Sequence, residues 1–183
     1  MVVTIGTDAG FVTVSPNADP TGTGTDTNDN QVQGARDTSP SGDNIITEMG
    51  WWCDNATQEA NFEVGLYSDD PGNNRPSTLL HSEIVNAKGT GAGWKKVTGL
   101  NWEIDAETVY WVAVQLDNTS TSTHIDEEDD GVGGKNFLTS QTELPTSWGG
   151  GTGASATGTY SVYALVEEAA AEGGGQDMTP YVY

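Results

Sequence analysis

Thr108-Val109-Tyr110-Trp111-Val112-Ala113-Val114-Gln115-Leu116 is the stretch on which the reading of the fold turns. Its β-branched and aromatic side chains are stiff at χ1, pack well on a pleated surface and suit a central strand. Working toward the N-terminus, Ala60-Asn61-Phe62-Glu63-Val64-Gly65-Leu66-Tyr67 places Phe62, Val64 and Leu66 on one face at a period of two. Ile45-Ile46-Thr47-Glu48-Met49-Gly50-Trp51-Trp52-Cys53 opens the predicted core. Between those segments and the decisive one lie Leu79 to Val85, Trp94 to Thr98 and, after a brief turn, Trp102 to Ile104, each reading as a short strand.

Toward the C-terminus, Thr159-Tyr160-Ser161-Val162-Tyr163-Ala164-Leu165-Val166 reads as a last core strand, and Glu167 to Glu172 as a small helix or coil. Val2, Val3, Ile5, Phe11, Val12 and Val14 supply one or two strands at the start. Ser68 to Pro76 is dense in Asp, Asn, Gly and Pro, residues that favour turns, and predicts a loop. Helical periodicity is nearly absent, while short apolar segments recur between turn signals. The expected fold is therefore all-β, an antiparallel β-sandwich or jelly roll.

Three regions follow from the shifts in composition. Residues 1–44 combine the first strands with a polar arm, since 15–43 is dominated by Asp, Asn, Thr, Gly and Pro and predicts a loop or an arm ordered by a neighbour. Residues 45–168 form the sandwich core. Residues 169–183 form a tail hinged at Gly173-Gly174-Gly175, ending in Asp177-Met178-Thr179-Pro180-Tyr181-Val182-Tyr183. Pro180, Tyr181, Val182 and Tyr183 gain little in isolation. The sequence leaves two uses for them, docking on a neighbouring subunit as an added strand or pocket peptide, or docking on their own domain.

Charge narrows the function classes. Twenty-seven acidic residues stand against 6 basic ones, a formal charge of −21 spread along 183 residues. Nucleic-acid binding is excluded on this reading, because phosphate neutralisation needs clustered Lys and Arg. An imbalance of this size is relieved either by bound cations or by a salty medium, where the Debye length falls to about 3 Å at molar salt. With lysine confined to Lys88, Lys95, Lys96 and Lys135, the composition resembles that of halophilic proteins and equally that of acidic, Thr-rich surface proteins of ordinary organisms. No apolar run approaches the roughly 18 residues that span a bilayer, so membrane insertion is not expected, and the start at Met1 lacks the pattern of a cleaved signal. Cys53 is the only cysteine; it forms no intrachain disulfide and reads as a small buried hydrophobe.

Asn61-Phe-Glu-Val-Gly-Leu-Tyr-Ser-Asp-Asp-Pro-Gly-Asn-Asn-Arg-Pro-Ser-Thr-Leu-Leu80, then Gly93-Trp-Lys-Lys-Val97 and Glu107-Thr-Val-Tyr-Trp-Val-Ala-Val114, carry a family pattern. It resembles the β-sandwich repeats of large bacterial and archaeal surface proteins and phage structural proteins. The resemblance covers about residues 45–116. It implies a jelly-roll-like sandwich similar to carbohydrate-binding modules, and it brings no catalytic residues with it.

Candidate chemistry falls into three groups. The acidic run Asp126-Glu127-Glu128-Asp129-Asp130 offers Asp126, Glu128 and Asp130 as alternate calcium ligands, against the commoner reading of a solvated acidic loop. Asp26-Thr27-Asn28-Asp29-Asn30 opens like a calcium loop but has Gln31 and Asp37 where an EF-hand needs Gly and Glu. Catalysis finds no motif: only His81 and His124 are imidazoles, and a glycosidase pair of carboxylates about 5–10 Å apart is not signalled. Exposed aromatics are the third group. Trp51 and Trp52 are adjacent, so within a strand one faces in and the other out, while Trp94 and Trp148 sit beside Gly-rich turns; these four are the candidates for stacking on a glycan or a protein partner.

The functional expectation is a non-enzymatic structural protein of a virion, a capsid decoration or tail-associated component on the virion surface or otherwise extracellular. It requires no cofactor, calcium being the one candidate ion, and pairs with copies of itself or other virion subunits. A carbohydrate-binding module is the alternative.

Overall fold

A computed structural model of the chain describes residues 9–11, 24–27, 30–42, 44–56, 59–85, 88–117, 123–128, 134–150, 153–155 and 159–168. Thirteen strands run through them: β1 (Ala9–Phe11), β2 (Gly24–Thr27), β3 (Gln31–Thr38), β4 (Asn44–Ala56), β5 (Asn61–Asp70), β6 (Arg75–Val85), β7 (Gly93–Ile104), β8 (Val109–Asp117), β9 (Thr123–Glu128), β10 (Lys135–Thr139), β11 (Gly153–Ser155), β12 (Thr159–Tyr160) and β13 (Val162–Glu168). Every pairing is antiparallel, and no helix occurs among the described residues.

The strands form two sheets. A seven-stranded sheet runs β1-β13-β4-β9-β12, with β7 on the other side of β4 and β2 on β9. A six-stranded sheet runs β11-β10-β3-β8-β5-β6. The two pack face to face as a β-sandwich. Ile46, Met49, Trp51 and Cys53 of β4 meet Phe62, Val64 and Leu66 of β5 and Val112, Val114 and Leu116 of β8 in one buried cluster. The period-two residues expected to share a face do share it, and Trp51 meets Phe62 edge to face at 5.9 Å. Burying one such aliphatic or aromatic side chain stabilises by about 1.5–3 kcal/mol, so this interleaved layer holds the two sheets together. β8 lies between β3 and β5, the central position its composition predicted.

Several segments differ from expectation. The polar stretch 15–43 contains β2 and β3, and β3 is built into the six-stranded sheet between β10 and β8. It reads as polar because only Val32 and Ala35 are apolar at its buried positions, while Gln33 is also buried. The acidic run is likewise not all loop: Thr123 to Glu128 form β9, hydrogen-bonded to β4, β2 and β12. The expected loop 68–76 shrinks to the turn 71–74, because Asp70 accepts hydrogen bonds from Asn73 Nδ2 and from Arg75 Nε at 3.0 Å. These bonds, Asn73 first, hold the Asp70 carboxyl below its usual range. Trp94 to Ile104 is a single strand whose ladder shifts register opposite Thr47. Glu167 and Glu168 belong to β13.

A further layer covers the six-stranded sheet. Residues 140–150 cross its outer face as a strap, and Leu144 and Trp148 pack there with Val32, Tyr67, Trp111 and Leu138. Glu63 accepts the Leu144 N–H at 2.8 Å, the Tyr67 hydroxyl donates to the Pro145 carbonyl at 2.8 Å, and Trp148 Nε1 donates to Asn136 Oδ1 at 3.1 Å. The strap also pairs with the start of β6 through Leu79 N–H to Thr146 O and Trp148 N–H to Ser77 O.

Candidate functional site

The two faces of β4 divide its tryptophans. Trp51 points between the sheets and is fully buried, while Trp52 points to the outer face of the seven-stranded sheet and is half-buried. The register of β4 with β7 sets Trp94 directly opposite Trp52, Lys96 opposite Gly50 and Thr98 opposite Glu48. On the other flank, β13 sets Tyr163 opposite Gly50. The outer face of this sheet thus carries Trp52, Trp94 and Tyr163 in a row.

Their geometry is interlocked. Trp52 and Trp94 meet edge to face at 5.6 Å and 76°, and Trp94 and Tyr163 at 5.2 Å and 74°. Such pairs are worth about 0.5–1.5 kcal/mol beyond their burial. Gly50 makes the row feasible, since a Cβ there would sit 2.4 Å from the Tyr163 ring. The Tyr163 hydroxyl donates to Glu48 Oε1, and Lys96 Nζ stands 3.5 Å from the same oxygen. Burial first, then the hydrogen bond and charge of Glu48, push the Tyr163 phenol far above its ordinary value. Tyr163 is therefore a neutral phenol fixed beneath the two indoles, its proton committed to Glu48 and its ring buried. The Trp52 Nε1–H and, beside it on β13's lead-in, Ser161 Oγ are buried without a protein hydrogen-bond partner.

The four tryptophan candidates thus separate. Trp52 and Trp94 come together at the patch, both half-buried. Trp51 lies in the sandwich and Trp148 under the strap, so neither presents a face to a ligand. Trp102 and Trp111 are buried too, with Trp111 Nε1 donating to Asp69 Oδ1 at 2.7 Å. Asp126 and Glu128 lie on β9, Asp130 lies outside the described residues, and no group of three potential metal ligands occurs among the described residues. Pro180, Tyr181, Val182 and Tyr183 lie outside the described residues as well.

Sequence reasoning did not single out Tyr163, Glu48 or Lys96 for this patch. The strong clue was the small residue at Gly50, two positions before Trp52 on the same face. A concavity of about 340 Å³ opens where the strap meets the start of β5, lined by Asn61, Glu63, Ile84, Gln115, Thr142 and Glu143. Gln115 Nε2 is held by the Gln141 and Leu116 carbonyls, which fixes one wall.

Fold and patch together define an acidic antiparallel β-sandwich with an aromatic surface and a strapped opposite face. No protein-family model matches the chain. No curated protein matches it. Among solved structures it is similar to the cysteine protease and lectin-like domains of a surface layer associated protein of Clostridium difficile, at 14% identity and a TM-score of 0.49. That match covers 76% of this chain, which spans 32% of the other.

Proposed function

We propose that this chain is a non-enzymatic recognition module working on an exterior surface, and that it binds a glycan through Trp52 and Trp94. One observation carries the reading: four of the six tryptophans are buried, and the remaining two stand side by side on one sheet face. A half-buried indole costs solvation without completing a core. Indole faces stack on the C–H surfaces of sugar rings, while Lys96 and Glu48, partly exposed beside them, supply hydrogen-bonding groups. The likeness of residues 61–80 and 107–114 to repeats similar to carbohydrate-binding modules supports the same class.

The virion-assembly reading loses one support, since residues 31–38 of the expected gripping arm are a strand inside the sheet. Glycan recognition takes its place as the primary reading. A glycan array probed with the wild-type chain and Trp94→Ala tests it. The expected result is binding of at least one glycan class, weakened at least about tenfold in the variant, which corresponds to roughly 1.4 kcal/mol. An array blank for the wild type, or equal signals for both proteins, overturns it.

A further inference from the structure

β6 is the end strand of the six-stranded sheet, and its two halves are treated differently. From Ser77 to Leu79 its outward edge is hydrogen-bonded to the strap. A register irregularity at Leu80 ends that half. From Leu80 to Val85 the strand pairs with β5 alone among the described residues. Natural sheets blunt such edges with Lys, Pro or inward charge, because a row of unpaired N–H and C=O groups accepts another strand. β7, the end strand on the same side of the sandwich, is blunted in this way by Lys95 and Lys96. The free half of β6 has no lysine and no proline, and its one formal charge is Glu83, in register with Val64. Instead it carries Leu80 and Ile84, 44% and 58% exposed, the two large hydrophobics that stand out at the surface of the described residues.

The geometry points to a second copy of this chain as the occupant, paired antiparallel, β6 to β6, about a two-fold axis at Ser82. The sequence Leu80-His81-Ser82-Glu83-Ile84 is complementary to itself in that register. Each Leu80 falls opposite Ile84 of the second copy, so the two exposed hydrophobics cover each other. Each His81, its ring stacked on Trp102 of its own chain at 5.3 Å and 12°, falls opposite Glu83 of the second copy, and Ser82 faces its own equivalent. Shifting the register by two residues breaks both matches. Directly opposed side chains in an antiparallel pair have Cβ atoms about 4.5–5.5 Å apart, close enough for apolar pairs and polar pairs to interact. Two-fold self-pairing of this kind is isologous and closes at a dimer.

The −21 charge of each chain opposes the contact. Screening shortens from about 10 Å at 0.1 M to about 3 Å at 1 M salt, so association is expected to tighten with salt. This inference does not depend on the glycan reading, because the aromatic patch lies on the other sheet.

The test is sedimentation of the full chain over a concentration series at 0.1 M and 1 M salt, with Ile84→Lys alongside. Dimer formation at least about tenfold tighter at high salt, and weakened at least tenfold in the variant, supports the pairing. A monomer throughout, or an Ile84→Lys dimer as tight as wild type, overturns it. Ser82→Cys supplies a second readout should Ile84→Lys fold poorly. Cys53 is buried, so the new thiol reports alone. Under mild oxidation Ser82→Cys is expected to cross-link to itself at least about tenfold faster than Thr90→Cys in an exposed turn, and equal rates contradict the register.

Discussion

The two outer faces of the sandwich use the same residues to opposite ends. On the six-stranded sheet Trp111, Trp148 and Tyr67 are sealed beneath the strap, each with its polar atom satisfied: Trp111 by Asp69, Trp148 by Asn136, Tyr67 by the Pro145 carbonyl. On the seven-stranded sheet Trp52 and Trp94 stay half-buried, and the Trp52 N–H has no protein partner. Each face also needs a glycine for close approach. A Cβ at Gly65 would meet Leu144 at 2.4 Å, and one at Gly50 would meet Tyr163 at 2.4 Å. What separates the faces is cover rather than the indole N–H, since the core Trp51 Nε1 is as unpartnered as that of Trp52: the strap seals one aromatic layer, and the Trp52–Trp94 pair on the other face stays half-open.

Breaking the covered face is expected to have the largest effect on stability. Trp148→Ala removes the strap's anchor and the Asn136 bond, and should destabilise by about 3–5 kcal/mol in chemical denaturation. A loss under 1 kcal/mol would mean the strap is not part of the cooperative fold.

Gly50→Ala attacks the open face through its backbone. Tyr163 must lift away from the sheet, an overpacking cost of about 1–3 kcal/mol, and glycan binding should fall with it. Unchanged denaturation and unchanged binding would remove Tyr163 from the patch.

A smaller effect separates the faces by pH. Burial raises the phenols of Tyr67 on one face and Tyr163 on the other above the ordinary value of 10.0. The folded chain keeps both protons after the unfolded chain has released them. The unfolded state then binds fewer protons, so stability should fall as pH rises past about 10. Tyr163→Phe and Tyr67→Phe should each flatten part of that decline, and a decline untouched by either would assign it elsewhere.

How much of this was legible in the sequence depends on where the chemistry was local. Thr108 to Leu116 announced a central strand because its own residues favour one, and Trp51-Trp52 announced one face in and one out because alternation is a property of any strand. β3 was hidden, since Gln31-Val32-Gln33-Gly34-Ala35-Arg36 owes its burial to partners: Trp148 and Trp111 lie over Gly34, and Arg36 donates to Asn74 Oδ1 at 2.8 Å. β9 was hidden by its acids. The patch was half legible: Trp52 and Trp94 were each candidates, but their meeting depends on a register across some forty residues. Trp148 misled because the glycines after it signal a turn, and the strap's return over the sheet leaves no local trace.

The measurement closest to the central claim is an NMR titration of the labelled chain with the best glycan from the array, following the six indole N–H signals. Those of Trp52 and Trp94 are expected to shift or broaden while those of Trp111 and Trp148 stay in place. Shifts confined to the strapped face, or spread over buried and half-open indoles alike, would contradict it.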